Sequence, residues 1–168
     1  MILYILFEAP TTLYGARKSI LRKFSPYTKP SFGTIKPALL RLEKQGFISS
    51  RKILSEGGKP SVIYSITDNG IEQLKTKIFE LNIQNPVQFL SSVRIQIACS
   101  NLLNPEKRLD LFSKIKKKAF LIKKDAEKKI ANDSANLNFY HRMILDNTIC
   151  EYNNFISLIE GFERDSNS

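Results

Sequence analysis

SFGTIKPALLRLEKQGFISSRK (residues 31–52) carries two patterns on one short segment. Ile35, Ala38, Leu39 and Leu42 recur at i, i+3, i+4 and i+7, the spacing that lines one side of an α-helix with apolar side chains. The opposite side shows Gly33, Thr34, Lys36, Pro37, Leu40, Arg41 and Lys44. Gly46 follows the last periodic residue and suits a helix stop. Such a helix has one face to anchor it and one face free to meet something else.

Pro37 allows two placements of the helix start. With the N-terminus near Thr34, the proline falls in the first turn, where no intrahelical bond is lost. With a start at Ser31, the proline lies inside the helix and is expected to kink it.

Working outward, Ile2–Glu8 reads as a first short helix ending before Pro10, and residues 12–23 as a second. In that second helix Tyr14, Ile20, Leu21 and Phe24 are expected to face inward, with Arg17, Lys18, Arg22 and Lys23 outward. SPYTKPS (25–31) is a turn. Residues 47–54 and 62–66 read as the strands of a β-hairpin around the tip SEGGKPS (55–61). Thr67 is placed to cap a helix through Leu81, and NIQNP (82–86) to break the chain. A further helix is expected over 87–103. Asn104-Pro105-Glu106 is a helix start, with a capping side chain, a proline at the first position and an acid in the first turn. That helix runs to about Ala131, NDSAN (132–136) interrupts, and a last helix runs from about Leu137 to Glu163. The tail RDSNS is expected to fray.

The predicted fold is therefore mainly α with a small β-hairpin wing: a winged helix-turn-helix over residues 1–82, then a helical dimerisation and possible effector region over 83–168. In the second region Phe112, Ile115, Ala119, Ile122 and Ala126 are spaced as a two-heptad seam. The last helix carries an apolar stripe that includes Tyr140, Ile144, Tyr152, Phe155 and Ile159. These seams point to a second copy of the chain, through Phe112, Ile115, Ala119, Ile122, Tyr140, Ile144, Phe155 and Ile159. Phe120 and Leu121 lie off the seam and are expected to pack on the final helix or on the winged region.

Charge narrows the partner. The 168 residues carry a net charge of +10, which favours a polyanion. Residues 1–80 hold 13 Lys/Arg against 6 Asp/Glu, so +7 of the excess sits in the half that contains residues 31–52. A helix about 10–12 Å across fits the roughly 12 Å major groove of B-DNA. Lys36 and Arg41 then reach base edges or phosphates, and Ser31 and Thr34 sit at a helix start suited to phosphate. Arg51, Lys52 and Lys59 place charge along the wing, and Arg17 and Lys18 along the second helix. Lys114, Lys116, Lys117, Lys118, Lys123, Lys124, Lys128 and Lys129 crowd one later helix. They read as a solvated arm, or more sharply as a second contact with an anionic surface.

Other classes find little support. No run of 18 apolar residues suits a membrane span, and MILYILFEAP lacks the features of a signal peptide. Cys99 and Cys150 have no metal-type spacing and read as buried thiols of a cytoplasmic protein. His141 is the sole histidine, and neither a nucleophile nor a phosphate-cradling loop is visible, so no enzyme, metal or cofactor is expected.

PSFGTIKPALLRLEKQGFISSRK, followed by SEGGKPSVIYSITDNGIEQL, closely resembles the PadR family of transcriptional regulators over about residues 2–75. The family pairs a P-S-x-G-T-I-Y-P-x-L-x-R-L-E-x-x-G recognition segment with a G-G-x-x-[KR]-x-Y-x-[LI]-T-x-x-G wing. The resemblance implies a homodimeric DNA-binding repressor or activator, expected here as a repressor, on a pseudo-palindromic site, with many relatives answering to small hydrophobic or phenolic ligands. It carries Ser31, Gly33, Thr34, Lys36, Pro37 and Arg41 over as recognition residues, with Lys59 and Tyr64 in the wing. Lys36 replaces the usual tyrosine, Thr12-Leu13 the usual His-Gly, and Val62 a usual basic residue. The alternative reading is a winged-helix module whose basic face meets an acidic protein partner.

Overall fold

Side chains, more than periodicity, decide where the helices begin. In a computed structural model of the chain, Thr12, Ser31, Thr67 and Asn104 each accept a hydrogen bond from the backbone N–H three residues on, at 2.9–3.2 Å. The structure describes residues 1–54, 58–80, 86–133 and 136–165. Residues 55–57 of the expected wing tip, 82–85 and 134–135 of the expected breaks, and the last three residues of the tail lie outside them. The fourth helix, expected through Leu81, ends at Phe79, with Glu80 extended. Two compact units form, Met1–Glu80 and Leu81–Ser168.

The first unit runs α1 (Ile2–Glu8), β1 (Thr11–Thr12), α2 (Leu13–Phe24), α3 (Phe32–Lys44), β2 (Ile48–Leu54), β3 (Pro60–Ile66) and α4 (Asp68–Phe79). The sheet is three-stranded and antiparallel in the order β1-β3-β2, where a two-stranded hairpin was expected. Thr11 pairs with Tyr64 and Thr12 with Ile63. Two residues are too few for an alternating pattern, which is why β1 leaves no trace in the sequence. Leu3, Ile5 and Leu6 of α1, Ile20 and Phe24 of α2, Ile35 and Leu39 of α3, Ile48, and Leu74 and Ile78 of α4 make the core.

Helix α3 begins directly after Ser31, so Pro37 is its sixth residue and lies inside it. This corrects the first-turn placement. The proline has no N–H to give the Gly33 carbonyl, and that carbonyl sits on an exposed residue where another donor can reach it. At the other end, Gly46 takes φ 75°. The Gly46 N–H reaches the Glu43 carbonyl at 2.9 Å and the Phe47 N–H reaches that of Leu42 at 3.0 Å, closing the helix as a Schellman motif.

In the second unit, α5 (Pro86–Cys99) leads through a 3-10 turn (Ser100–Leu102) to α6 (Pro105–Asn132) and α7 (Phe139–Asp165). Helices α6 and α7 pack on each other: the Phe112 and Phe162 rings lie 6.1 Å apart, and Lys116 pairs with Glu163 at 2.6 Å. Helix α5 joins them through Phe89, stacked on Tyr152 at 6.2 Å. Phe112, Ile115, Ala119, Phe155 and Ile159 are buried in this packing. Their expected role as a contact between copies is therefore corrected: the seam is spent inside one chain. Ile122 is half-buried, whereas Tyr140 and Ile144 are 71% and 60% exposed. Phe120 and Leu121, expected to pack, are both 51% exposed. Cys99 is buried as expected, but Cys150 is exposed on α7. Among the described residues no helix is long and apolar enough to cross a membrane.

Candidate nucleic-acid interface

The outer face of α3 is open. Ser31, Gly33, Thr34, Lys36, Pro37 and Arg41 are all exposed, and so are Leu40 and Lys44. The anchoring stripe holds them in place from beneath, with Ile35 at 1% and Leu39 at 0% exposure. At about 100° per residue, Gly33, Pro37, Leu40 and Lys44 fall along the centreline of this face. Lys36 lies on one flank, Thr34 and Arg41 on the other.

The N-terminal end of α3 is braced against α2 in a way the sequence does not announce. The Arg17 guanidinium lies 4.9 Å from the centre of the Phe32 ring, and its Nε donates to the Pro30 carbonyl at 3.2 Å. Tyr14 stacks on the same ring at 6.2 Å. Tyr14 is 66% exposed, so the inward-facing expectation for it is corrected; in that turn the buried residue is Ala16. Arg17 is thus partly committed to holding the two helices together, while Lys18 stands exposed. Lys23 pairs with Glu8 and lies over the Tyr4 ring. An aromatic at position 14 followed by an arginine three residues on, with a phenylalanine at the next helix start, was the available signal for this cluster.

In the wing, Arg51 is paired with Ile63 and Lys52 with Val62. Alternation along a strand sends these two cations to opposite faces of the sheet. They do not form one charged strip. Lys59 is exposed just before β3. Tyr64 is only 8% exposed and sits between β1 and β2. Burial first, and the Glu43 carboxylate second, hold its phenol above its ordinary pKa. Its placement among contact residues is corrected: it packs the root of the wing.

A winged helix-turn-helix with an exposed, cation-flanked third helix is now in view, and comparison with known proteins decides its kinship. The family described as "Transcriptional regulator PadR-like family" matches residues 2–76, nearly the whole first unit. The chain belongs to the PadR-like family of transcriptional regulators. It is not an enzyme. A PadR-like regulator of Bacillus cereus shares 32% identity over 45% of this chain and 71% of its own, with a TM-score of 0.40. A transcriptional regulator of Clostridium thermocellum shares 34% identity over 45% of this chain and 73% of its own, with a TM-score of 0.42. Bacillus subtilis PadR in complex with operator DNA is 17% identical over 98% of this chain and 96% of its own, with a TM-score of 0.45. None of the curated proteins is similar enough to match.

Proposed function

We propose that this PadR-like chain is a homodimeric, sequence-specific DNA-binding repressor whose α3 lies in the major groove of a pseudo-palindromic operator. The exposure of Lys36 and Arg41 on either side of a helix anchored by Ile35 and Leu39 carries the reading. Ser31, Gly33, Thr34, Pro37, Arg41 and Lys36 meet the duplex. Lys18, Arg51, Lys52 and Lys59 add phosphate contacts from α2 and the wing, and Arg17 positions the start of α3. A bound dimer excludes polymerase from an overlapping promoter, which makes it a repressor. The protein acts in the cytoplasm, where its DNA is. Bacillus subtilis PadR has been crystallised with p-coumaric acid; a small hydrophobic or phenolic molecule is the corresponding effector class here.

Gly33 supports close approach. A Cβ added there meets only Ser31 Oγ, at an ordinary 3.6 Å, so nothing within the chain demands a glycine. Gly33→Ala is expected to stabilise the fold by about 0.5–1 kcal/mol, because alanine favours the helix. It is expected also to weaken duplex binding, because a methyl group stands between backbone and DNA. Thermal melting and fluorescence anisotropy on the same variant check both signs; a variant that binds as the wild type does removes Gly33 from the interface.

Dimerisation is assigned to the face of α7 left open by the packing against α6. Phe139, Tyr140, Met143, Ile144 and Leu158 are each more than half exposed there. Tyr140→Glu with Ile144→Glu is expected to convert a dimer to a monomer in sedimentation equilibrium, and a wild-type chain that is monomeric at micromolar concentration contradicts the assignment. A gel shift on DNA upstream of the chain's own gene at two salt concentrations tests the DNA reading. Six or more phosphate contacts reduce affinity by about a thousandfold between about 50 and 200 mM salt.

A further inference from the structure

We propose that Leu40 reads thymine methyl groups in the major groove, so that the operator carries a thymine beneath the middle of α3. This rests on the reading that the outer face of α3 docks on duplex DNA, and adds to it the base that the centre of the face selects.

A single exposed leucine is ordinary on a protein surface. Its position makes this one informative. Leu40 is 51% exposed and lies on the centreline of α3's outer face, between Lys36 on one flank and Arg41 on the other. A helix that fills the groove turns its centreline toward the base edges and its flanks toward the two phosphate walls. The cations then stand where charge is needed, and Leu40 stands over the bases. Leucine has neither donor nor acceptor. Set against the amino or carbonyl edge of guanine, cytosine or adenine, it desolvates a polar group without replacing its hydrogen bond. Thymine alone presents a methyl group in the major groove. It is the one base whose edge Leu40 matches.

Phe32, the other large exposed apolar residue of α3, is engaged otherwise. Its ring is stacked by Tyr14 and covered by Arg17. Pro37, one turn before Leu40 on the same centreline, extends the apolar strip and offers no donor either. Around Pro37 and Leu40 selection is therefore by shape and methyl contact, with hydrogen-bond donors supplied by Lys36 and Arg41 on the flanks and by Lys44 one turn further along the centreline.

The test removes only the methyl group, from the DNA and not from the protein. A duplex is selected from a random library with the full chain, and each thymine is replaced in turn by deoxyuridine. Binding is measured by fluorescence anisotropy at fixed salt. At one thymine in each half-site the loss is expected to be about fourfold, the worth of one buried methyl group. The same replacement is expected to be silent with Leu40→Ala. Wild-type binding unaffected by every uracil replacement overturns the proposal while leaving DNA binding intact. An equal loss in Leu40→Ala also overturns it, because the methyl group is then read by another residue. Failure to select any duplex removes the docking of α3 itself, and the proposal with it.

Discussion

Replacing Lys36 and Arg41 together by glutamate is expected to lower affinity for the operator duplex by about a hundredfold or more. Each good contact of a cation with a base edge or phosphate contributes about 1–3 kcal/mol, and reversal adds repulsion to the loss. Both side chains are exposed, on opposite flanks of the outer face of α3. Their replacement leaves Ile35 and Leu39 in place, so the fold is expected to change by no more than about 0.5 kcal/mol, as for surface positions generally. The variant therefore separates recognition from stability. Anisotropy at a series of salt concentrations gives a second reading, because the slope of log affinity against log salt falls by about one per phosphate contact removed. An unchanged slope with an unchanged affinity places DNA contact elsewhere on the chain.

Gly70→Ala is expected to be the most destabilising single-methyl change in the first unit. A Cβ at Gly70 lies 1.9 Å from the Phe47 carbonyl oxygen and 2.7 Å from Ile66 Cγ1. The first obstacle is backbone and cannot rotate aside. Nor can α4 easily withdraw. The Thr67 hydroxyl caps it at the Gly70 N–H while donating to the Gly46 carbonyl at 2.7 Å, and the Thr67 N–H reaches the Phe47 carbonyl at 3.1 Å. These bonds lace the start of α4 to the passage from α3 into β2. Relieving the clash breaks some of them, at about 3 kcal/mol, the upper range for overpacking. For a unit of this size that corresponds to roughly 10 °C or more in Tm. Gly161→Ala is the control: nothing lies within 4 Å of a Cβ there. Equal melting of the two variants shows that α4 can move without cost.

These predictions mark how far the sequence carries. Residues 31–47 were legible in detail because three local signals agree there: a capping serine, a helical apolar stripe and a glycine stop. The one ambiguity, Pro37, turned on whether Ser31 or Thr34 begins the helix, and the serine hydroxyl decides it by accepting the Thr34 N–H at 3.2 Å. Strand β1 was invisible because a two-residue strand exists only through its partner β3. The long helices were legible as elements and misleading as surfaces. A heptad seam states that a face is buried, not whether the covering helix belongs to the same chain or another; Ile115 and Ile159, both at 0% exposure, are buried within one chain. On α7 the same stripe is buried at Tyr152, Phe155 and Ile159 and left exposed nearer the helix start, at Tyr140 and Ile144. At the candidate interface the exposed cations followed from helical spacing. The Tyr14–Phe32–Arg17 cluster did not, because it joins two helices across a turn.

A photo-activated cross-linker placed in turn at positions 36, 40 and 44 of the full chain, bound to a selected duplex, tests the docking of α3 most directly. Cross-links from these positions to bases, at contacts open through the major groove, are the expected result. A duplex that stays bound while none of the three positions cross-links to it contradicts the account.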